Sequence, residues 1–384
     1  MSTQLQHDML PHATHDELAR QNFVQSLKVY LASKVSPGNK TVYEQRAKPR
    51  FEQEYKRAPQ TRHEVRRVMT DEPYYQTWSA LQRTSQEMMW DAVATSVERQ
   101  LPELIARAKR NGNTVGSLTL NPDLKIPAYH TAVDIHCMPG GYHSEDVTDD
   151  VAAGAVYDRA VYIYAMSRLG ALNDDLGQSL VHYLKEKHPA WQPRKILDMG
   201  CSVGHSTLPF VDAYPEAEVY AIDVGAPMLR YAHARAEALG KCVHFSQQNA
   251  EHTNFADGSF DLIVSHILLH ETSSAAVRNI MRECYRLLTP GGMMVHLEAP
   301  QYHGMEPYAA FMFDWDTYNN NEPFWGTMRE LDLVALAATA GFAKEKTFQT
   351  FVPSAWQATR LRTSRFQCGD FGGGGRWFMF AAGK

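Results

Sequence analysis

Residues 195–207 read KILDMGCSVGHST, and this stretch decides the fold. Apolar residues lead to Asp198, after which Gly200 and Gly204 punctuate a short turn. Ser206 and Thr207 follow where a helix would begin, and their side chains can satisfy free N–H groups there. This order is typical of a buried parallel strand that enters a glycine loop and then a helix. Glycines in such a loop allow positive φ and let a ligand approach the backbone closely.

Three kinds of nucleotide-binding loop begin in this way. A P-loop ends in Lys followed by Ser or Thr, and no such pair follows Gly204. The dinucleotide loop has its three glycines in a G-x-G-x-x-G pattern, which Ser202 interrupts here. The third pattern is an acidic residue, one residue, Gly, three residues and Gly. Asp198, Gly200 and Gly204 fit this third pattern.

Four stretches downstream of the loop extend the pattern. They are VYAID at 219–223, NAE at 249–251, FADGSFDLIVS at 255–265 and LTPGG at 288–292. With the loop, they resemble the class I S-adenosylmethionine-dependent methyltransferases over about residues 190–300. The departures are Ser202 in the glycine loop and Asn249, where the family often has Asp. The N-terminal half lies outside the resemblance.

The resemblance implies S-adenosylmethionine as cofactor, with S-adenosylhomocysteine as product. Asp223 would bind the ribose hydroxyls, Asn249 would contact the adenine, and Ser265 would present its backbone to the methionine part. Tyr157 and Asp158 resemble a Tyr-Asp pair that related enzymes place over the cofactor, although Tyr157 as a core aromatic is the alternative. The implied cofactor-binding residues are Asp198, Gly200, Ser202, Gly204, Asp223, Val224, Met228, Asn249, Ala250, Ser265 and Tyr157.

The chemistry follows from the cofactor's electrophilic methyl group. The enzyme would align a nucleophile with the methyl group and exclude water, and it would need a base only for a protonated acceptor. Three candidates for this base cluster after the fourth strand, namely His266, His270 and Glu271. A packing role is the alternative for either histidine.

Two segments are candidates for binding the acceptor. Residues 129–143 combine His, Cys, aromatic residues and Gly, which favours a lid or binding segment over a structural loop. Residues 302–326 are rich in aromatic side chains and predict either a pocket cover or a hydrophobic staple over the sheet edge. The predicted acceptor-binding residues are His136, Tyr142, His143, Tyr162, Glu298, His303 and Trp315. No metal is expected, because the spacing of His130, His136, Cys137 and His143 matches no standard zinc pattern.

Composition and charge limit the classes of function that the protein can have. The 384 residues carry a formal net charge of −5, which argues against nucleic acid as partner. No apolar run is long enough to span a bilayer, and the polar start does not look like a signal peptide. The five cysteines form no C-x-x-C pair, so a cytoplasmic protein is expected. The leading hypothesis is methyl transfer to a small molecule with an O, N, S or C nucleophile. The alternatives are a non-catalytic S-adenosylmethionine-binding sensor or interaction protein and, less favoured, an NAD-dependent oxidoreductase.

The expected architecture is α/β, with a Rossmann-like, seven-stranded methyltransferase sheet and an N-terminal, mainly helical domain. The expected divisions are a disordered start at 1–20, a helical domain and acceptor lid at 21–190, and the cofactor-binding domain at 191–384. Amphipathic helices at 22–34 and 74–106 offer apolar faces that a homodimer would bury. The predicted strands are 194–198, 218–223, 241–246, 260–265, 292–298, 344–352 and 376–382, and the predicted helices of the sheet domain are 205–214, 226–239, 274–287 and 327–340.

Overall fold

A twisted, mostly parallel sheet forms the centre of the computed structural model, which describes residues 4–111, 115–358 and 375–384. Within these residues the sheet has eight strands in the order β1-β4-β3-β2-β5-β6-β8-β7. Strands β1 to β6 run parallel, whereas β8 lies antiparallel between β6 and β7. The strands are β1 (Ser117–Thr119), β2 (Lys195–Met199), β3 (Glu218–Asp223), β4 (His244–Gln247), β5 (Phe260–His266), β6 (Leu288–Glu298), β7 (Thr347–Pro353) and β8 (Arg376–Gly383).

The predicted α/β fold is confirmed, but the sheet has eight strands instead of seven. The additional strand, β1, comes from the N-terminal half and pairs with β4. Gly116 makes this approach possible, because a Cβ atom there would lie 2.3 Å from the carbonyl oxygen of Val243. The carboxylate of Glu237 also accepts hydrogen bonds from the backbone N–H groups of Val115 and Gly116. The sequence has four consecutive glycines at 372–375, of which residues 372–374 lie outside the described residues.

Helices cover both faces of the sheet and the carboxyl ends of its strands. π-Helical turns at Leu31–Val35 and Tyr43–Ala47 join α1, α2 and α3 into one continuous helical segment. Pro102 removes an N–H donor inside α5, and the helix kinks next to it at Gln100. The helices are α1 (His15–Tyr30), α2 (Ser36–Val42), α3 (Lys48–Tyr55), α4 (Arg62–Met69), α5 (Pro73–Asn111), α6 (Ala128–Thr131), α7 (Ala152–Tyr164), α8 (Asp175–Lys187), α9 (Leu208–Ala213), α10 (Ala226–Ala238), α11 (Ser274–Leu287), α12 (Pro307–Phe313), α13 (Trp315–Asn319), α14 (Trp325–Met328), α15 (Leu333–Ala340) and α16 (Ala355–Ala358), with 3₁₀ turns at Ile135–Cys137, Leu269–Glu271 and Lys344–Lys346.

The N-terminal segment is ordered from residue 4, which contradicts the disordered start expected from its polarity. Met9 and Leu10 are fully or almost fully buried, and α1 begins after a capping box formed by Thr14 and Glu17. Gln4 donates a hydrogen bond to the Asp158 carboxylate, and His7 lies 3.1 Å from the same group. A buried carboxylate needs such partners, so the segment is held by a residue that lies about 150 positions away in the sequence.

The N-terminal half contributes to the sheet layers as well as to the surface above the strand ends. Leu176, Leu180 and Leu184 of α8 pack in the same apolar cluster as β2 and β3. A second cluster joins α5, α7 and α10 above the glycine loop. The predicted domain boundary near residue 190 therefore does not coincide with the edge of a hydrophobic core. The division into domains stays a prediction. None of the described helices combines the length and apolarity needed to cross a membrane.

Candidate functional site

The loop after β2 has the strained backbone that its glycines predict. Gly200 and Gly204 have φ values of 71° and 77°, and Ser202 between them has a φ of 50°. A Cβ atom on Gly200 would lie 2.6 Å from a methyl carbon of Leu268. The loop thus requires glycine at position 200 for both conformation and space.

Asp223 connects the end of β3 to this loop. Its two carboxylate oxygens accept the N–H groups of Ser202 and Gly225, each over 2.9 Å. Each oxygen keeps a further lone pair, so the carboxylate can still accept hydroxyl groups from a ligand.

A first cavity opens beside Asp223 and is called the β3 cavity. It is bounded by the residues that follow β3, β4 and β5, with an apolar floor. Its lining from these elements includes Asp223, Val224, Met228, Gln248, Asn249, Ala250, Leu268, Glu271 and Thr272. Five predicted cofactor-binding residues at or after the ends of β3 and β4 thus line one cavity, namely Asp223, Val224, Met228, Asn249 and Ala250.

A second cavity lies against the first and is called the aromatic cavity. It has a volume of about 960 Å³, including the part open to solvent. The two cavities share lining at Gly200, Ser202 and Tyr157, so they meet at the glycine loop. The large side chains that line the aromatic cavity are Trp90, Tyr142, Tyr157, Tyr164, Trp325 and Trp377. Trp90, Tyr142, Tyr157 and Tyr164 come from the N-terminal half of the chain.

Asp198 lies at the floor of the aromatic cavity and is almost completely buried. The Thr207 hydroxyl donates to its Oδ2 over 2.6 Å. Its Oδ1 has no hydrogen-bond partner among the described residues and lies 3.5 Å from Nδ1 of His266. A buried carboxylate oxygen in this condition is an acceptor available to a ligand.

His270 and Glu298 form a buried pair at the end of the aromatic cavity. Nδ1 of His270 lies 2.7 Å from Oε2 of Glu298, and the ring edge packs against Trp325. Burial alone would lower the pKa of His270, but Glu298, together with Glu271 and Glu322, raises it above the usual range. Nε2 has no hydrogen-bond partner among the described residues.

His136 lies between two carboxylates from distant parts of the chain. Its Nε2 is 2.8 Å from Glu271 and its Nδ1 is 3.0 Å from Glu322. Burial would lower the pKa of His136, but Glu322 and Glu271 raise it well above the usual range. Asn320 also lies 3.1 Å from Nδ1 of His136. The sequence analysis missed Glu322 and Asn320, although the run NNNE at 319–322 marked polar residues inside an aromatic segment.

Several predicted site residues lie elsewhere among the described residues. Ser265 is buried in the sheet and its hydroxyl contacts His296, so the lining at this point comes from the next two residues, His266 and Ile267. Gly204 shapes the loop without lining either cavity, and Glu298 acts on the cavity only through His270. The remaining residues that lie outside both cavities are His143, Tyr162, His303 and Trp315.

Packing explains these four corrections. His303 is exposed, and Trp315 packs among the helices that precede β1, where its indole donates to Ser79. Tyr162 is buried on α7, and His143 packs against His130. The residue types in a segment do not show which of its side chains line the cavity. The rotation of each helix about its axis and the conformation of each loop determine this.

Tyr157 and Asp158 point in different directions, although they are adjacent. Tyr157 lines both cavities, and its ring stacks on His205 with ring centroids 5.9 Å apart. Asp158 is completely buried beside Arg235, His205 and Tyr231, so it belongs to the packing that supports the cavity. Only the first member of the predicted Tyr-Asp pair therefore lines a cavity.

Comparison with known proteins agrees with this geometry. A family model described as a methyltransferase domain matches residues 196–292. An uncharacterized methyltransferase of Synechocystis sp. (strain ATCC 27184 / PCC 6803 / Kazusa) is 32% identical over 186 residues, which cover 47% of this chain and 82% of that protein. The chain belongs to the S-adenosylmethionine-dependent methyltransferases. The predicted resemblance and the predicted cofactor are thereby confirmed.

Two further methyltransferases match smaller parts of the chain. Demethylmenaquinone methyltransferase of Thermus thermophilus is 37% identical over 108 residues, covering 28% of this chain and 48% of that protein. The match thus spans about half the length of this relative. The solved structure of geranyl diphosphate C-methyltransferase from Streptomyces coelicolor A3(2) is 16% identical, with coverage of 59% and 80% and a TM-score of 0.39.

Proposed function

We propose that this methyltransferase transfers the methyl group of S-adenosylmethionine to a small organic acceptor held in the aromatic cavity. The observation that carries the proposal is the meeting of the two cavities at the glycine loop. A cofactor with its nucleoside in the β3 cavity would place its sulfonium methyl group where the two cavities join. The acceptor would then attack in line from the aromatic side.

The cofactor contacts follow from the β3 cavity. Asp223 would accept the ribose hydroxyls, and Asn249 would contact the adenine amine through its side-chain oxygen. Val224, Met228 and Ala250 would provide the apolar surface for the adenine ring. Asp198, whose Oδ1 has no hydrogen-bond partner among the described residues, would accept a bond from the methionine part.

The aromatic cavity favours a small acceptor. Its lining is mainly aromatic and apolar with a few polar groups, as is usual for pockets that bind small molecules. Tyr142 and Tyr157 line both cavities, so their ring faces could stabilise the positive sulfur as well as the acceptor. One relative, demethylmenaquinone methyltransferase, is named for a small organic acceptor, which supports the proposal.

His270 is the proposed proton acceptor. With Nδ1–H donating to Glu298, Nε2 is the basic nitrogen of an imidazole that lines the aromatic cavity. Glu298 is then a positioning residue, because it acts through the imidazole. His266 is the second candidate, since both of its nitrogens lack hydrogen-bond partners among the described residues. Glu271 contacts His136 and is a less suitable base.

Labelled cofactor provides the experiment. The purified protein is incubated with methyl-tritiated S-adenosylmethionine and a cell extract divided into low-mass, protein and nucleic-acid fractions. The proposal expects label in the low-mass fraction, and it expects the Asp223→Ala variant to lose that labelling. Label found only in protein or nucleic acid would refute a small acceptor. The expected homodimer and cytoplasmic location stay predictions.

A further inference from the structure

Four ionisable side chains converge around His136, which lines both cavities, and we call them the His136 cluster: His136, His270, Glu271 and Glu322. Single ligand atoms of His136, Glu271 and Glu322 lie within 4.8 Å of one another. Nε2 of His270 lies 3.7 Å from Glu271 and 3.9 Å from Oε2 of Glu322. These groups come from the loop before α7, the 3₁₀ turn after β5 and the segment between α13 and α14.

Two atoms of the cluster face each other without a hydrogen bond. Oε2 of Glu322 and Nε2 of His270 have no hydrogen-bond partner among the described residues. The two residues are 2% and 1% exposed, so the surrounding protein leaves little water to compensate them. Leaving polar atoms buried in this way costs free energy, and a ligand that bonds to both would recover it.

The excess of carboxylates over imidazoles in this region also favours the binding of a cation. Three carboxylates, Glu271, Glu298 and Glu322, surround two imidazoles, His136 and His270. Even if both imidazoles are protonated, one negative charge remains uncompensated within this group. A divalent cation would remove this excess, and buried charges are stable only when they are paired or bound to a metal.

The backbone adopts an energetically unfavourable conformation where it places His136 in the cluster. His136 and Cys137 have φ values of 55° and 59°, which side chains with a Cβ atom rarely adopt. Trp90 and Gln86 donate hydrogen bonds to the carbonyl oxygen of His136 and hold this conformation. Such strain persists only where the surrounding structure fixes it, and it is concentrated at functional sites.

We propose that His136, Glu271 and Glu322 bind one divalent transition-metal ion, of the class of Mn²⁺, Fe²⁺ or Zn²⁺. These ions bind well to one imidazole and two carboxylates, whereas Mg²⁺ and Ca²⁺ prefer sites made only of oxygen ligands. Nε2 of His136 would bind the ion beside the Glu271 carboxylate, which lies 2.8 Å from this nitrogen. Three protein ligands would leave an open coordination position, and His136 lines both cavities. The site departs from the absence of metal expected from the sequence.

The metal defines the acceptor class, and this part of the inference rests on the proposed methyl transfer. An enol, phenol or hydroxy acid would place its oxygen at the open position, where the cation would favour the oxyanion. The proton would pass to Nε2 of His270. The oxyanion would then form a bond to the cofactor's methyl carbon while the carbon–sulfur bond breaks, and S-adenosylhomocysteine would leave with the electron pair.

Metal binding is tested apart from activity. The full-length protein is treated with a chelator and dialysed, and it is then titrated with Co²⁺ by visible absorption and with Mn²⁺ or Zn²⁺ by calorimetry. We expect one ion per chain for the wild type. Glu322→Gln and Glu271→Gln should each weaken binding by roughly 10- to 100-fold. Glu283→Gln is the matched control, because Glu283 is buried but pairs with Arg286 away from the cluster.

S-adenosylmethionine affinity is measured on the same samples. If the wild type binds S-adenosylmethionine but binds none of the titrated metal ions, the metal site is overturned and the proposed function stands. Unchanged Co²⁺ spectra in both variants would also overturn it. If one variant does not fold, the wild-type stoichiometry and the other variant decide the question. Loss of cofactor binding in the wild type would instead contradict the proposed function.

Discussion

The imidazole of His270 lies 2.7 Å from the carboxylate of Glu298, with both side chains almost completely buried. His270 follows β5 and Glu298 ends β6, so two adjacent parallel strands fix the pair. The pairing holds the imidazole of His270 in the lining of the aromatic cavity.

The His270–Glu298 pair should control turnover. We expect His270→Asn to lower kcat by about 10²- to 10⁴-fold, because a general base contributes on this scale. Glu298→Gln should lower kcat by a smaller factor, since the imidazole remains but loses its fixed orientation. KM for S-adenosylmethionine should change little in both variants. Steady-state kinetics measure this, and full turnover in His270→Asn would remove His270 from the chemistry.

Asp223 should control cofactor affinity. Asp223→Ala removes the acceptor proposed for the ribose hydroxyls and also frees the N–H of Ser202 in the loop. We expect a weakening of S-adenosylmethionine binding on the order of 10- to 100-fold, because hydrogen bonds to a charged group contribute about 1.5–3 kcal/mol. Asp212→Ala is the control, since Asp212 is exposed and pairs only with Lys241 among the described residues. Equal affinities for the two variants would exclude Asp223 from the site.

Gly200 should be sensitive to a single methyl group. Gly200→Ala would place a Cβ atom 2.6 Å from Leu268 at a φ of 71°. Gly240 has a similar φ of 66° but has no atom within 4 Å of the added Cβ, so Gly240→Ala measures the backbone strain alone. We expect cofactor binding to be lost in Gly200→Ala and kept in Gly240→Ala. Calorimetry of both variants checks the difference, and equal binding would mean that the close approach is unimportant.

Asp158 should support the fold without touching the ligand. Asp158→Asn would leave Arg235, His7 and His205 around a neutral amide, and losing one partner of a buried ion pair costs about 3–5 kcal/mol. Urea unfolding would measure the loss of free energy of unfolding. Asp16→Asn is the control, because the Asp16 side chain is 84% exposed. A change below about 1 kcal/mol in Asp158→Asn would contradict a structural role.

The same group predicts a dependence on pH. Burial would raise the pKa of Asp158, but Arg235 and His205 hold it well below the usual range. Because the folded pKa is lower than the unfolded value of about 4, the stabilisation is complete above that pH and declines as pH falls below it. Wild-type urea midpoints should therefore drop more steeply below pH 4 than those of Asp158→Asn. Parallel curves for the two proteins would contradict this assignment.

The β2 loop shows what local sequence can predict. Residues 195–207 contain the strand, the glycines and the helix start within one short stretch, and local backbone preferences decide their structure. Asp223 and Asn249 could be placed because each follows a strand, and the carboxyl ends of parallel strands meet at one edge. The cofactor side of the site was therefore accessible from sequence.

Contacts between segments that are distant in the sequence could not be predicted from local sequence. Glu322 meets His136 across 186 positions, and His7 meets Asp158 across 151 positions. Nothing in the local sequence around either residue identifies its partner. Trp315 and His303 were misplaced for a related reason, because an aromatic-rich segment has several faces and only packing selects the one that lines a cavity.

Calorimetric titration with S-adenosylmethionine and S-adenosylhomocysteine tests the central claim most directly. The account predicts one site per chain for both ligands, with dissociation constants in the range of about 1 μM to 1 mM that is usual for enzyme substrates. It also predicts that the Asp223→Ala variant binds both more weakly. Circular dichroism on the same samples would establish that the protein is folded. Absence of binding at millimolar ligand by folded wild-type protein would contradict the account.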